Sequence, residues 1–397
     1  MTAAIGRRAV FGLTGAALAV GAGGGAIVAT RQDSEPPPPA PGLPQTVEFH
    51  GIHQAGIATP APGHLLLTAY DVPGTASKAA MGKLFRAWTA AARAITQGTK
   101  VPGDPTIAVD GQPAALTVTI GIGRGLLGRL GLEVPAALAE LPEFPGDVIE
   151  ERFSGGDLVV QLCGDDPMVL AGADRVLRRS AGAVVRPRWQ QAGFQGMAAR
   201  RDGRSTRNLM GQVDGTNNVS TSDKARGGPV WVDAAEPAWM TGGSYLVVRR
   251  IRMLLDSWER LAVPAQERVI GRHKLSGAPL GSQQEADPVD LDAKGADGTP
   301  LIPVNSHVRL STPGKGEEML RRGFSYRAGV LPDGSSDEGL LFLAYVKDPR
   351  TSFVPVQKRL AAHDALNDFT RTTGSALFAM LPGVQNINDW YGKSLLG

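Results

Sequence analysis

The sequence predicts an α+β protein whose body consists of two similar halves built on antiparallel strands. Three observations carry this. Apolar residues make up 42% and charged residues 20% of the 397 positions, the composition of a folded globular chain. Short runs rich in β-branched and aromatic residues alternate with longer stretches of helical periodicity. The order of these runs in the first half is echoed in the second.

Residues 1–45 stand apart and read as an export signal followed by a tether. Arg7 and Arg8 precede a stretch over 12–30 rich in Ala, Gly and Val, with the small residues Ala26 and Ala29 near its end. This resembles a twin-arginine export signal, which would engage the twin-arginine machinery and carry the protein across the cytoplasmic membrane to a periplasmic, cell-wall or extracellular location. The competing reading is a membrane anchor, but the glycines lower both the helicity and the hydrophobicity of the stretch. No cysteine lies near its end, which argues against a lipoprotein. Residues 32–44 include the run Pro36 to Pro39 and read as an extended polyproline tether.

The folded body starts near Val47. Residues 64–71 read as a strand. Residues 76–96 read as a helix with Met81, Leu84, Phe85, Trp88 and Ala92 at helical spacing. Strands follow at 115–122 and 157–162, a helix at 167–179 and a strand at 184–189. In the second half, 245–253 is a strand and 256–271 a helix with Asp256 as N-cap. Short strands are expected at 307–310 and 323–329 and a strong one at 339–345. Residues 353–363 read as helix, and 365–372 as more helix. Each half approximates the β-α-β-β-α-β order of a ferredoxin-like unit. The expected fold is therefore a duplicated ferredoxin-like body with antiparallel sheets, divided into domains at 46–205 and 206–397. A cleft where the halves meet is the expected ligand site.

Composition excludes several function classes. The net charge is +3, with no basic block of the kind that binds nucleic acid. The single cysteine, Cys163, forbids an intrachain disulfide and sits in an apolar run that reads as buried strand. No CxxC or HExxH pattern suggests a zinc or iron–sulfur site. Six histidines are present. His50 and His53 have HxxH spacing but no partner cluster. His64, His273 and His363 sit in ordinary strand, loop and helix contexts. His307, in Asn305-Ser-His-Val-Arg-Leu310, reads by itself as a core histidine more often than as a ligand.

Two further stretches carry chemistry. Gly211-Gln-Val-Asp-Gly-Thr-Asn-Asn218 is a polar loop with one carboxylate, Asp214, between two glycines that permit tight turns; by local features it is also an ordinary hairpin tip. Met319-Leu-Arg-Arg-Gly-Phe-Ser-Tyr326 carries the adjacent pair Arg321 and Arg322.

An Asp loop, a lone histidine and an arginine pair, in that order, resemble the dye-decolourising haem peroxidases. The resemblance runs from Gly51-Ile-His-Gln-Ala-Gly-Ile57 to Leu381-Pro-Gly-Val-Gln-Asn-Ile-Asn-Asp-Trp390 and includes Gly271-Arg-His-Lys-Leu-Ser-Gly-Ala-Pro-Leu280. With the export signal, it is to the secreted, twin-arginine-exported branch. It implies one haem b per chain, held between sheet and helices of the C-terminal half, with His307 as axial ligand of the iron. It implies Asp214 and Arg321 as the catalytic pair, acting as proton carrier and fixed positive charge. Gly215, Thr216 and Asn217 would line the distal face. Arg272 would bind a propionate, and Thr312 and Pro313 would pass the proximal edge. Asp389 is the candidate carboxylate for the other ring nitrogen of His307.

The implied reaction is reduction of hydrogen peroxide through a ferryl state, with one-electron oxidation of small aromatic donors such as dyes or phenols. Trp231, Trp239, Tyr345 and Trp390 are candidate surface relays. A homo-oligomer is compatible with this reading. The alternatives are haem binding with iron release, as in a deferrochelatase, and a binding module without haem. The chain departs from the family at Gln212-Val213, at Asn217, and in a shortened segment from His307 to Arg321. The last leaves the register between Arg321 and Arg322 open.

Overall fold

The computed structural model describes residues 46–104, 112–196, 205–216, 218–219, 228–233 and 237–397. The export-signal region lies outside these residues.

Strand β1 (His64–Asp71) is buried on both faces: Leu65, Leu67 and Ala69 join one core cluster and Tyr70 another. It pairs antiparallel with β3 (Leu158–Gly164) and β4 (Arg186–Phe194), and β3 pairs in turn with β2 (Thr117–Ile122). Two helices cover the outer face of these strands. In α1 (Lys78–Thr96), Ser77 caps the N-terminus by accepting from Ala80 N at 3.2 Å. A short helix α2 (Arg124–Arg129) follows β2. In α3 (Pro167–Ala181), Asp166 accepts from Met168 N at 2.7 Å, with Pro167 at the first helical position. Met81, Leu84, Phe85 and Trp88 of α1 pack with Leu170, Ala173, Val176 and Leu177 of α3 over Tyr70 and Val160. Trp88 Nε1 also donates to the Leu177 carbonyl at 2.9 Å.

The second half repeats the arrangement. After the two-residue strands β5 (Thr206–Arg207) and β6 (Val213–Asp214) come β7 (Ser244–Met253), β8 (Leu320–Arg321), β9 (Phe324–Val330), β10 (Ser336–Val346) and β11 (Thr370–Met380). The spatial order is β2-β3-β1-β4 in the first half and β9-β10-β7-β11 in the second. Numbered within each half, with the two-residue strands β5, β6 and β8 left out, both are 2-3-1-4, the order of a ferredoxin-like unit.

The halves do not form separate sheets. β4 meets β9 at Phe194 and Ser325, and β11 meets β2 at Met380 and Gly121. With β7 paired to both β10 and β11, the strands close into a ring, and closure removes the open edges. Leu65, Leu67, Val159 and Cys163 from one half pack inside it with Leu246, Val248, Phe324, Leu343, Tyr345 and Phe378 from the other. Outside the ring, the second half carries α7 (Phe353–His363) over a smaller cluster of Phe144, Val247, Ala344 and Phe353.

Three elements differ from the sequence expectation. Residues 256–271 are not one helix but α4 (Leu255–Glu259) and α5 (Val263–Ile270). Pro264 starts a new helix, and Gln266 Nε2 donates to the Trp258 and Leu261 carbonyls across the break. Asp256 lies in the first turn and Leu254 is the cap. His307 does not begin a strand: it is the first residue of helix α6 (His307–Ser311). Residues 365–372 split into a 3-10 turn over Ala365–Phe369 and the start of β11, the missing fourth strand of the second half. Its threonine-rich start lacks the apolar alternation that marks a strand. A last short helix, α8 (Lys393–Leu396), ends the chain.

The seams between halves need glycine. A Cβ on Gly121 would come within 2.4 Å of Met380 Sδ, and one on Gly193 within 2.7 Å of Phe324 Cβ. Gly193→Ala should therefore destabilise the protein by about 1–3 kcal/mol through overpacking, measured as a lower urea midpoint at unchanged m-value.

Candidate active site

His307 is positioned by a turn and a helix start. Ser306 N donates to the Pro303 carbonyl at 3.1 Å, and helix α6 begins at the next residue. His307 Nδ1 lies 2.6 Å from Asp364 Oδ2. Asp364 is almost fully buried and sits between α7 and the 3-10 turn, where its Oδ1 accepts from Leu366 N at 2.8 Å. The backbone ties the two segments together, with Ala365 N donating to the Asn305 carbonyl at 3.0 Å. Both carboxylate oxygens are thus engaged, and Nδ1–H is the donor. That tautomer leaves the lone pair on Nε2, which makes no hydrogen bond among the described residues. Burial pushes the imidazole pKa down. The charge and hydrogen bond of Asp364 push it up, and the net direction is upward.

Asp389 is not this partner. Its carboxylate accepts from Gln385 N and from Trp390 N, both at 2.9 Å, and closes the turn at 385–390. The true carboxylate is 57 residues from His307 in sequence.

Asp214 ends the small hairpin β5–β6, in which Thr206 pairs with Asp214 and Arg207 with Val213. The hairpin is anchored from behind: Trp258 Nε1 donates to the Met210 carbonyl at 3.0 Å, and Gly277 fits against Val213. Asn208 Oδ1 accepts from Met210 N, and its Nδ2 faces Asp214 Oδ2 at 3.4 Å. Gly215, at φ +113°, turns the chain in a region that favours glycine.

Arg321 reaches Asp214 from the sheet. It pairs with Ala344 of β10, and its Nη1 lies 3.9 Å from Asp214 Oδ1. Strand alternation separates the two adjacent arginines. Arg322 is 5% exposed and its Nη1 donates to the Thr59 carbonyl at 2.5 Å. Its charge also acts on Cys163 and Tyr345 inside the ring; burial nevertheless raises the Cys163 thiol pKa. Arg321 is therefore the arginine paired with Asp214.

Asp214, Gly215, Asn218 and Arg321 line a cavity of about 400 Å³, bounded on its other side by Thr59, Pro60, Phe194 and Gln195 of the first half. His307 is not one of its walls, but the charges of Arg321 and Asp214 both act on the His307 ring. The Asp214–Arg321 pair thus lies within electrostatic reach of His307.

The remaining candidates divide. Thr216 holds Arg321 Nη2 through its carbonyl at 2.7 Å, and its hydroxyl donates to Glu285 at 2.7 Å. Asn217 lies outside the described residues. Arg272 is buried, with Nη1 donating to the Gly277 and Glu285 carbonyls at 2.7 and 3.0 Å. Burial lowers its pKa, Glu285 opposes this, and Arg321 adds to it, so Arg272 feels the charge of the site. Thr312 caps α6, its hydroxyl donating to the Val308 carbonyl at 2.7 Å, and Pro313 follows it. Arg359 holds this segment through two contacts to Glu317, at 2.7 and 2.8 Å. None of the four aromatic relay candidates lines the cavity. Tyr345 is inside the ring, donating to Gln161 at 2.7 Å. Trp231 stacks on His53 at 3.6 Å, Trp239 is buried, and Trp390 lies under Arg86. Sequence reasoning missed Asp364 and Asn208, which carry no local signal beyond a helix-capping residue type, and gave no role to Asn218, although it ends the loop that carries Asp214.

Two family models cover most of the folded body: Dyp-type peroxidase, N-terminal, over residues 54–195, and Dyp-type peroxidase, C-terminal, over 205–385. The chain belongs to the Dyp-type peroxidase family. It is 45% identical over 345 residues to a dye-decolorizing peroxidase of Thermobifida fusca (strain YX), spanning 82% of this chain and 80% of the relative. It is 37% identical over 370 residues to a deferrochelatase of Escherichia coli (strain K12), spanning 88% and 86%. Among solved structures, a DyP-type peroxidase from Streptomyces coelicolor superposes with TM-score 0.85 at 42% identity, covering 88% of this chain and 97% of the other. An oxyferrous complex of DtpA from Streptomyces lividans matches with the same TM-score and identity, covering 89% and 98%.

The His307–Asp364 pair gives the folded protein an expected pH dependence. Because the folded-state pKa of His307 is raised, the His307–Asp364 contact contributes stability fully present below the ordinary imidazole value and lost as pH rises through the raised value. Urea unfolding of the cofactor-free protein between pH 5 and 9 should show this slope in wild type and lose it in Asp364→Asn.

Proposed function

We propose that this Dyp-type peroxidase reduces hydrogen peroxide at a haem b held by His307 and oxidises small aromatic donors in one-electron steps. One observation carries the reading. A histidine with Nδ1 committed to a buried carboxylate, and Nε2 without a hydrogen-bond partner among the described residues, shares its electrostatic surroundings with the Asp214–Arg321 pair.

Haem is the cofactor, and the residues fit it. His307 would hold the iron through Nε2, and Asp364 would make that nitrogen more basic. Arg272, buried and with Nη1 already fixed by two carbonyls, would face a propionate with the rest of its guanidinium. Bound haem supplies the electrons that peroxide takes up and recovers them singly from a donor. Asp214 accepts the proton of incoming peroxide and delivers it to the outer oxygen, so that water departs. Arg321 holds a fixed positive charge against the hydroperoxide anion and the departing oxygen. The Arg321–Asp214 separation of 3.9 Å keeps the two side chains adjacent.

A second reading, haem binding with iron release, draws support from the relatives named deferrochelatase. The two readings part at the distal pair. In the haem-loaded protein, His307→Ala should abolish or strongly shift the Soret band. Asp214→Ala and Arg321→Ala should keep the band but slow the spectral response to peroxide by about 10²–10³-fold. Iron lost from haem at a rate indifferent to both distal substitutions would favour the second reading. A colourless protein that cannot be reconstituted with haem would sink both.

Export by the twin-arginine route rests on Arg7, Arg8 and the apolar stretch that follows. The double substitution Arg7→Lys, Arg8→Lys should leave the protein in the cytoplasmic fraction, whereas unchanged export would remove this part of the proposal.

A further inference from the structure

One loop holds Arg321 at three points. Its guanidinium Nη2 donates to the Thr216 carbonyl at 2.7 Å. Its backbone N–H donates to Asn218 Oδ1 at 2.9 Å, and its backbone carbonyl accepts from Asn218 Nδ2 at 2.7 Å. Strand β8 is two residues long and pairs with β10 through Leu320 and Arg321. The N–H and C=O of Arg321 that meet Asn218 form its other edge. A carboxamide side chain presents a donor and an acceptor much as a peptide group does. Asn218 therefore completes the edge of β8 as another strand would. The loop that supplies this amide also carries Asp214, four residues earlier in the chain.

We infer that Asn218 is a positioning residue for the peroxide reaction: by bridging both backbone groups of Arg321 it fixes the guanidinium relative to Asp214. This rests on the roles of Asp214 and Arg321 proposed above. The physical argument is one of freedom removed. An arginine side chain has many rotamers, and a two-residue strand restrains its backbone weakly on its own. With Asn218 in place, the acid–base group and the cation belong to one hydrogen-bonded unit. Without it, Arg321 keeps, among the described residues, its pairing to β10, the Thr216 carbonyl and the 3.9 Å approach to Asp214. Asn218 is exposed, so water can replace its bonds, and the loss should be one of placement more than of folding.

The test uses the full chain loaded with haem, in wild type, Asn218→Ala, Asn218→Asp, Arg321→Ala and the double variant Asn218→Ala/Arg321→Ala. Three quantities are read: the second-order rate of the spectral change with peroxide, the dissociation constant of fluoride for the ferric protein, and amide hydrogen exchange across residues 319–324 with and without haem. Asn218→Ala should lower the peroxide rate about tenfold, the equivalent of one to two hydrogen bonds. It should weaken fluoride binding and speed exchange at Arg321 even without haem, with haem content and Tm unchanged. Asn218→Asp, which loses the donor and sets an oxygen against the Arg321 carbonyl, should be no better than Asn218→Ala. The double variant should be no slower than Arg321→Ala alone, because Asn218 acts through Arg321. A slow Arg321→Ala beside a wild-type Asn218→Ala, or additive losses in the double variant, would overturn this inference and leave the proposed function standing. A wild-type rate in Arg321→Ala would overturn the role assigned to Arg321 and this inference with it.

Discussion

Closure of the strands into a ring is the constraint on which the rest of this structure depends. β10 lies between β7 and β9 and also holds β8. That placement sets Arg321 at one end of the second half. The crossover from β10 through α7 to β11 then brings the chain back, and Asp364 falls at the corner where α7 ends. The two groups on which the site turns are thus placed by backbone pairing in elements distant in sequence.

The same ring explains where the charge goes. β7 carries Arg249 and Arg250 side by side, and strand alternation sends them to opposite faces. Arg249 makes two contacts to Asp147, at 2.5 and 2.6 Å. Arg250 reaches Asp337 at 2.7 Å, between the rings of Phe153 and Tyr326. Both arginines are nearly fully buried, and each has a carboxylate. Buried pairs of this kind add little net stability against an apolar alternative, but they strongly disfavour any register that separates the partners. They also account for part of the cationic composition.

The site differs from these structural pairs in its incompleteness. Asp147 and Asp337 sit in direct hydrogen-bonding contact with their arginines, whereas Asp214 stands 3.9 Å from Arg321 and borders an open cavity. Among the described residues, His307 is hydrogen-bonded at one nitrogen only. Groups left partly unpaired in a folded protein carry a cost that a ligand can relieve. That contrast, more than the presence of charged residues, separates the site from the rest of the molecule. The first half supplies Thr59, Pro60, Phe194 and Gln195 to the cavity wall, so both halves contribute to its shape although the charged pair belongs to the second.

The sequence by itself determined the strands and helices whose periodicity is local: β1, α1, β3, α3, β7, β10 and α7 all fall close to where their apolar spacing places them. Its motifs, through the family they resemble, also singled out Asp214, His307 and Arg321 as candidates, with the register between Arg321 and Arg322 left open. The tertiary structure decided what local spacing does not encode. Asp364, not Asp389, meets His307, because a carboxylate's partner is chosen by the path of α7 and not by proximity in sequence. The helix at His307 follows from the turn at Pro303, and β11 forms from a weakly apolar, threonine-rich stretch because β7 and β2 leave a slot for it. Arg321 was separated from Arg322 only by alternation across β8, and Asn218 acquired a role only when the sheet brought an open strand edge to its amide. Local patterns report the face a residue shows; which group stands opposite is settled by ring closure, a property of all the strands at once.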